Sequence, residues 1–219
     1  MGPPAAVDAD DLGLGHHAGQ PNAHYRAVVR VVAGSARGRR LDAPPGRDTR
    51  PTGDRVREAT FNALGSLGVI DGARVVDLFA GSGALGIEAL SRGALHCTFV
   101  EQSRAAIAVI RSNLETTGLA DRAHVVAADA VAWCASIGRP FDLALADPPY
   151  AFDGWDALVA SLGAPLLVAE SDRQVEARPG WVTLRCRRYG TTVTTFLAVD
   201  TTEPVGTTEP TSGPPEGTE

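Results

Sequence analysis

The sequence predicts an α/β fold in which helices cover both faces of a mostly parallel β-sheet. The chain has 219 residues, and 44% of them are hydrophobic, which suffices for one substantial core. From residue 73 onward, short apolar runs alternate with segments of helical periodicity, as is typical of parallel sheets. A glycine-rich turn at Gly81–Gly86 joins one apolar run to the next helix.

The N-terminal elements are expected to be a hairpin and a helix. Two short β-type runs, residues 28–33 and 39–41, flank a turn at 34–38. Asp54 suits the N-cap of a helix whose apolar residues recur at helical spacing up to about Leu67.

Strands and helices then alternate along the chain. The expected strands are 73–80, 96–101, 124–129, 141–147 and 165–169, and the expected helices begin at Ala84, Ser103, Ala130 and Trp155. Two more β-type runs, 181–187 and 191–199, predict an antiparallel pair at the sheet edge. We divide the chain into a disordered tail at 1–27, an RNA-facing extension at 28–68, a main domain at 69–199 and a disordered acidic tail at 200–219.

The charge is distributed unevenly. All 20 basic residues are arginines, and residues 1–25 and 200–219 contain none of them. Nine arginines fall between Arg26 and Arg57, where only three acids stand. Such a local excess suits a polyanion such as RNA, although a solvated surface is the alternative interpretation.

Other features narrow the class of protein. No apolar run reaches the ~18 residues of a membrane span, and the N-terminus lacks the basic and apolar parts of a secretory signal. We therefore expect a cytoplasmic protein without a membrane partner. Cys97, Cys134 and Cys186 lack metal-ligand spacing, so we expect neither a structural metal nor a disulfide framework.

The glycine-rich turn predicts a nucleoside-type cofactor. Gly81 and Gly83 allow close approach of the backbone to a ligand, and Gly86 allows tight packing of the helix on the strand. The next strand ends in Glu101, whose carboxylate suits the two hydroxyls of a ribose. The third strand ends in Asp129, which suits an adenine amino group.

The motif Asp147-Pro148-Pro149-Tyr150 ends the fourth strand and is more specific. The Asp147 carboxylate and the Pro148 carbonyl can accept hydrogen bonds from one exocyclic NH₂ group, and Tyr150 offers a stacking face. Acceptors on both N–H bonds favour attack by this poorly nucleophilic amine. A proline-rich turn without chemistry is the alternative.

Six segments together resemble the RsmD family. They are AGSARGRRL (33–41), TRPTGDRVREATFNALG (49–65), DLFAGSGALGIEALSRGA (77–94), FVEQ (99–102), ADPPY (146–150) and YGTT (189–192). Members of that family use S-adenosylmethionine to methylate the N2 amine of one guanine in bacterial 16S rRNA, at position 966 in the type enzyme, and release S-adenosylhomocysteine. The resemblance implies a Rossmann-like class I methyltransferase with a seven-stranded, mostly parallel sheet and a small N-terminal hairpin and helix.

The resemblance also implies roles for matching residues. The cofactor would contact Asp77, Phe79, Gly81, Ser82, Gly83, Glu101, Asp129 and Ala130. The target guanine would be held by Asp147, Pro148, Pro149 and Tyr150. Our candidates for RNA phosphates are Arg37, Arg39, Arg40, Arg50 and Arg55. The implied partner is 16S rRNA within a small-subunit particle, and the implied enzyme is a monomer that needs no metal.

This chain departs from the family in two places, and three alternatives stay open. YGTT replaces the usual Tyr-Gly-Asp-Thr, and the segment after Tyr150 is short. The alternatives are an adenine-N6 methyltransferase with the same Asp-Pro-Pro-Tyr motif, a dinucleotide-dependent dehydrogenase and a non-catalytic RNA-binding assembly factor. Since family members tend to begin at a sequence like Val29–Gly34, we hypothesise a translation start near Val28 or Val29. Peptides from Met1–Tyr25 in the natural protein would contradict that start.

Overall fold

The computed structural model describes residues 29–44, 53–138 and 141–202. The predictions for residues 1–27, for almost all of the tail at 200–219 and for Arg50 lie outside these described residues.

The described chain contains nine strands and five α-helices in the expected order. The strands are β1 (Val29–Arg30), β2 (Arg40–Leu41), β3 (Arg74–Leu78), β4 (His96–Glu101), β5 (Ala123–Ala127), β6 (Leu143–Ala146), β7 (Leu166–Ser171), β8 (Trp181–Tyr189) and β9 (Thr192–Val199). The helices are α1 (Gly53–Ser66), α2 (Ala84–Ser91), α3 (Arg104–Thr117), α4 (Ala130–Ser136) and α5 (Trp155–Ser161).

Seven strands form one sheet in the order β5-β4-β3-β6-β7-β9-β8. Strands β3 to β7 run parallel, and β9 lies antiparallel between β7 and β8. From β3 the chain first adds strands on one side and then, from β6, on the other. Open α/β sheets bind ligands at the carboxyl ends of strands beside such a switch point. The loops that follow β3 and β6 therefore meet at the expected binding edge.

Helices cover both faces of the sheet, as predicted. On one face, the core contains Phe61 of α1 and Ile87 of α2, together with side chains of α3. On the other face, Cys134 of α4 and Leu158 of α5 are fully buried. Consecutive strand residues point to opposite faces, so neighbours such as Val75 and Val76 enter different cores.

The N-terminal hairpin docks on α2 through a buried carboxylate. The side chain of Glu88 is completely buried and accepts hydrogen bonds from the amides of Val32 (2.8 Å) and Ala33 (3.1 Å). Arg92 Nε lies 2.6 Å from the same carboxylate, and Arg57 Nε lies 3.8 Å from it. A buried charge needs such partners, so Glu88 fixes the hairpin and α1 against the main sheet.

A second polar contact joins the hairpin to the glycine-rich turn. Asn113 of α3 is buried, and its Oδ1 accepts a hydrogen bond from the amide of Asp42 (2.8 Å). Its Nδ2 donates to the carbonyls of Asp42 (3.0 Å) and Ser82 (2.9 Å). One amide side chain thus holds the segment after β2 beside the turn after β3.

Two local expectations need correction. Among the described residues, the N-terminal strands β1 and β2 are two residues each, and the turn between them includes Gly34 and Gly38 with φ of +83° and +81°. Asp54 does not cap α1 but lies in its first turn, where its carboxylate is 3.0 Å from Arg57. The antiparallel pair of β8 and β9 is confirmed, with β8 at the edge.

Across the described ranges, none of the helices has the length and apolar character needed to cross a membrane.

Candidate active site

The turn after β3 holds the backbone in an unusual conformation. Gly81 and Gly83 have φ of +57° and +79°, which glycine adopts without a steric penalty. Phe79 has φ of +60° and is the one non-glycine residue with a positive φ in the described part of the chain. Strained backbone of this kind persists where the surrounding structure enforces it, and it is concentrated at functional sites.

Gly86 packs the helix after the turn tightly against the sheet. A Cβ at this position would lie 2.4 Å from Cε1 of Phe99 and 2.7 Å from Sγ of Cys97, both on β4. The amide of Gly86 also donates a hydrogen bond of 2.9 Å to the Asp77 carboxylate. The predicted close approach of helix and strand is therefore confirmed.

Asp77 lies beneath the turn and is almost completely buried. Burial raises its pKa well above the ordinary value, the hydrogen bond from Gly86 lowers it, and the charges of Asp147 and Glu101 raise it further. Asp77 lines neither of the two pockets described below. The buried Asp77 carboxyl is thus influenced by the charges of both Asp147 and Glu101 around the glycine-rich turn.

Glu101 at the end of β4 holds the turn from the other side. Its Oε2 accepts a hydrogen bond from the amide of Gly81 (2.8 Å), and its Oε1 accepts one from the amide of Ser103 (2.8 Å). A carboxylate offers about four acceptor positions, so about two remain for a ligand.

A pocket of about 300 Å³, the smaller pocket, opens beside Glu101. It is lined by Phe79, Val100, Glu101, Gln102, Ala128, Asp129, Ala130, Pro149, Ala151 and Phe152. The rings of Phe79 and Phe152 meet edge to face with centroids 5.0 Å apart, and Trp155 supports Phe152 at 5.2 Å. Apolar walls with carboxylates at the rim suit a flat heterocycle joined to a polyhydroxyl group.

Asp129 and Ala130 lie where β5 leads into α4. Asp129 caps this helix by accepting a hydrogen bond of 2.9 Å from the amide of Ala132. Ala130 is the first helical residue, so its amide has no partner within the helix. Both residues of the predicted pair line the smaller pocket.

A pocket of about 440 Å³, the larger pocket, lies above the ends of β6 and β7. Its lining comprises Val29, Ala43, Pro44, Gly53, Asp54, Val56, Arg57, Ser82, Ala84, Asp147, Pro148, Pro149, Tyr150, Glu170, Ser171 and Thr192. Asp147 and Tyr150 are exposed, and Pro148 is buried. Pro149 lines both pockets, so the two form neighbouring compartments at one edge of the sheet.

The candidate RNA-binding arginines lie around the N-terminal elements. Arg37, Arg39 and Arg40 are exposed on the hairpin, and Arg55 is exposed in the first turn of α1. Both elements reach the larger pocket, through Val29 of the hairpin and through α1. The exposed arginines thus belong to the two elements that reach the compartment with the Asp-Pro-Pro-Tyr motif.

Several site residues were missed by the sequence analysis. Phe152 belongs to the smaller pocket, and Glu170 and Thr192 belong to the larger one. The sequence pattern could have indicated Glu170. A polar residue at the end of a buried parallel strand lies at the same sheet edge as Asp147, and Glu170 follows the apolar part of β7. Thr192 ends the YGTT segment of the family resemblance, but its place in the pocket depends on the antiparallel insertion of β9 beside β7, which the segment does not reveal.

Comparisons with known proteins agree with this architecture. The family described as Conserved hypothetical protein 95 matches residues 29–198. The chain is 44% identical over 158 residues to a putative rRNA methyltransferase, YlbH, of Bacillus subtilis, with 68% of this chain and 85% of that protein covered. It is 43% identical over 131 residues to ribosomal RNA small subunit methyltransferase D of Escherichia coli, with 60% of this chain and 65% of that protein covered.

A solved structure supports the same relationship. The putative methyltransferase yhhF of Escherichia coli superimposes with a TM-score of 0.70 at 34% identity, covering 80% of this chain and 99% of that one. The expected seven-stranded, Rossmann-like methyltransferase sheet with a small N-terminal hairpin is therefore confirmed. The chain belongs to the Conserved hypothetical protein 95 family, which is the RsmD family of ribosomal RNA methyltransferases.

Proposed function

We propose that this protein uses S-adenosylmethionine to methylate the N2 amine of one guanine in 16S rRNA, as a monomer acting on a small-subunit particle. The observation that carries the proposal is the pair of neighbouring pockets that share Pro149. One pocket suits a nucleoside, and the other contains the Asp147–Tyr150 motif. The relatives named above as rRNA methyltransferases support the rRNA substrate.

The smaller pocket fits the adenosine part of the cofactor. The remaining acceptor positions of Glu101 would bind the ribose hydroxyls, and Asp129 with the Ala130 amide would bind the adenine edge. Phe79 and Phe152 supply the apolar walls. Ser82 lines the larger pocket, on the side where the amino-acid end would extend. S-adenosylmethionine supplies a methyl group made electrophilic by its positively charged sulfur.

The electrostatics favour a cationic ligand over a dinucleotide. Burial raises the pKa of Asp77, and the charges of Asp147 and Glu101 raise it further, so the turn lies in the negative field of these two carboxylates. This field attracts a sulfonium or ammonium group, whereas it repels the diphosphate of a dinucleotide. The sheet order also departs from the 3-2-1-4-5-6 order of dinucleotide-binding domains, because β9 is inserted antiparallel. Both observations weigh against the dehydrogenase alternative.

The Asp-Pro-Pro-Tyr motif would position the amine that is methylated. The Asp147 carboxylate and the Pro148 carbonyl accept hydrogen bonds from the two N–H bonds of the exocyclic amine and stabilise the positive charge that develops during attack. Tyr150 is 45% exposed and can stack on an unpaired base. A guanine in a loop or single strand therefore suits the site better than a paired one.

Glu170 supports guanine rather than adenine as the target. Ala146 and Ala169 are paired in the sheet, so the residues after them, Asp147 and Glu170, lie side by side at its edge. Next to the N2 amine, guanine carries an N1–H donor that suits a second carboxylate. Adenine presents an N1 lone pair at the equivalent place, and a carboxylate repels it. Two neighbouring carboxylates thus complement the donor edge of guanine.

The proposal also divides the described chain by role. Residues 29–68 form the RNA-facing extension around the larger pocket, and residues 69–199 form the catalytic domain. The alternative of an assembly factor without catalysis leaves the smaller pocket and the Asp147–Tyr150 motif without a use.

Methyl transfer to ribosomal particles tests the proposal directly. Small subunits from a strain that lacks this protein are incubated with it and labelled S-adenosylmethionine, and the rRNA nucleosides are then separated. A single N2-methylguanosine is the expected product. N6-methyladenosine would instead establish the adenine alternative, and measurable cofactor binding without transfer to rRNA would contradict the proposed substrate.

A further inference from the structure

The edge strand β8 carries a dense group of exposed arginines that the proposed site does not use. Strand β8 contains Arg185, Arg187 and Arg188 in a stretch of four residues, and all three are exposed. Among the strands that the structure describes, β8 is the last of the sheet and pairs only with β9. Charges on an edge strand discourage pairing with another chain, but they also create a binding surface for anions.

Arg185 and Arg187 lie on the same face of the sheet as α1, although α1 packs on other strands. Arg185 is paired with Phe196 of β9, and Arg187 is paired with Thr194. Directly opposed residues of antiparallel strands point to the same face. Phe196 belongs to the core that contains Phe61 of α1, so Arg185 and Arg187 lie on the α1 side. Both are exposed.

The same face of β8 leads directly to the larger pocket. Thr192 lines this pocket and is paired with Tyr189 at the end of β8. A strand rises about 3.3 Å per residue, so along β8 the Cα atom of Arg187 lies about 7 Å from that of Tyr189, and the Cα atom of Arg185 lies about 13 Å from it. The three side chains therefore form a row that runs outward from the pocket.

Neither arginine of this row is neutralised within the described residues. Arg173 and Arg178, which are nearby in sequence, lie within salt-bridge distance of Asp172 and Asp156. For Arg185 and Arg187, no carboxylate of the described chain lies within 4.0 Å. Two adjacent guanidinium groups without carboxylates suit the phosphates of a polyanion.

We propose that Arg185, Arg187 and Tyr189, here called the β8 strip, bind the rRNA strand that flanks the target nucleotide. This inference rests on the proposed function for its ligand. The hairpin reaches the larger pocket through Val29, and the β8 strip adjoins Thr192, which also lines it. The RNA is then gripped on two sides of the pocket, with arginines contacting phosphates and Tyr189 offering a face to an unstacked base.

Two double variants with the same loss of charge test the β8 strip. Arg185→Ala with Arg187→Ala, the strip variant, removes both arginines of the β8 strip and keeps Tyr189. Arg104→Ala with Arg111→Ala removes two exposed arginines from α3, which packs over β4 and β5 at the other end of the sheet. Binding of labelled 16S rRNA is measured at several KCl concentrations with S-adenosylhomocysteine present, and KM and kcat are measured on small subunits.

Of the two alanine variants, we expect only the strip variant to bind 16S rRNA more weakly and with a smaller dependence of affinity on KCl concentration. The slope of log K against log salt should fall by about 1 to 2, since each lost phosphate contact in a single strand contributes about 0.7. KM should rise about tenfold with kcat retained, and the pair Arg185→Lys with Arg187→Lys should keep most of the slope. Light scattering of each variant shows whether uncovering the edge causes self-association instead.

Equal slopes and affinities for the two alanine variants would overturn the inference and leave edge protection as the role of these arginines. If the strip variant loses rRNA binding but the unmodified protein transfers no methyl group to rRNA, the RNA-binding role of the β8 strip would be supported and the proposed function refuted. Absence of rRNA binding by the unmodified protein would refute both.

Discussion

The amide of Gly81 donates a hydrogen bond of 2.8 Å to the carboxylate of Glu101. The residue that we assign to the cofactor ribose therefore also holds the glycine-rich turn in place. Glu101 is 8% exposed and reaches the smaller pocket, so a ligand there would meet a carboxylate that is already oriented. Groups oriented before binding lose little further freedom when the ligand arrives.

Replacement of Glu101 should weaken cofactor binding. We expect Glu101→Ala to reduce affinity for S-adenosylhomocysteine by about 10- to 100-fold, since hydrogen bonds to a charged group are worth about 1.5 to 3 kcal/mol and 1.4 kcal/mol is tenfold. Isothermal titration calorimetry measures the change. Glu115→Ala removes an exposed acid from α3 and is the matched control. Equal affinities for both variants would contradict the assignment.

Asp147 should matter for transfer rather than for cofactor binding. We expect Asp147→Ala to reduce kcat by on the order of 100-fold or more, as is typical when one preorganised group that stabilises transition-state charge is removed. Affinity for S-adenosylhomocysteine should stay close to that of the unmodified protein. Asp121→Asn, on the exposed turn before β5, removes the same charge far from the sheet edge. Substantial activity of the Asp147 variant would refute its role.

Glu170 should control the choice of base. With 2-aminopurine at the target position, the N2 amine is kept but the N1–H donor is lost. We expect the unmodified protein to prefer guanine by about 5- to 100-fold in kcat/KM, because a well-placed polar pair gives about 1 to 3 kcal/mol of discrimination. Glu170→Gln should shrink this preference, since an amide offers either a donor or an acceptor.

The matched control for this prediction is Glu176→Gln, which changes an exposed residue in the segment after β7. Subunits reconstituted with ligated 16S rRNA supply both substrates. An unchanged preference in the Glu170 variant would show that guanine is selected elsewhere in the pocket.

Asp77 should make stability depend on pH in a predictable direction. Burial raises its pKa in the folded state, so the folded protein holds this proton more tightly than the unfolded chain. That contribution is complete below the unfolded pKa of about 3.9 and is lost as pH rises through the raised folded pKa. Asp77→Asn does not titrate and keeps an acceptor for the Gly86 amide. We therefore expect the variant to gain in Tm relative to the unmodified protein as pH rises.

Thermal unfolding of both proteins from about pH 4 to about pH 9 measures this difference in Tm. A difference that stays constant over the range, or one that moves against the variant as pH rises, would contradict the assignment of a raised pKa to Asp77.

Gly86 should tolerate no larger side chain. A Cβ there would lie 2.4 Å from the ring of Phe99 and 2.7 Å from Sγ of Cys97. Overpacking of this kind costs about 1 to 3 kcal/mol, and we expect Gly86→Ala to lower the free energy of unfolding by that amount in urea titrations. Gly65→Ala, on an open face of α1, is the control and should not destabilise. Equal stability of the two variants would refute the tight packing.

The order of elements follows from local patterns in the sequence. The periodic apolar runs predicted every strand and helix of the main sheet, because alternation and helical spacing are set by neighbouring residues. Glu101, Asp129 and Asp147 each follow or end a predicted strand. They could be placed on one edge of the sheet because parallel strands share their direction. What local patterns could not show is the antiparallel position of β9, since strand pairing depends on residues far apart in sequence.

The sequence was sufficient to place Gly81, Glu101, Asp129 and Asp147 after the carboxyl ends of strands, because each follows a short, β-type apolar run. The three-dimensional packing decided how the site is enclosed. Glu88 and Asn113 anchor the hairpin through contacts that span more than 50 residues, and no periodic signal marks them. Contacts of this length form only after the chain has folded, which is why neighbouring residues do not reveal them.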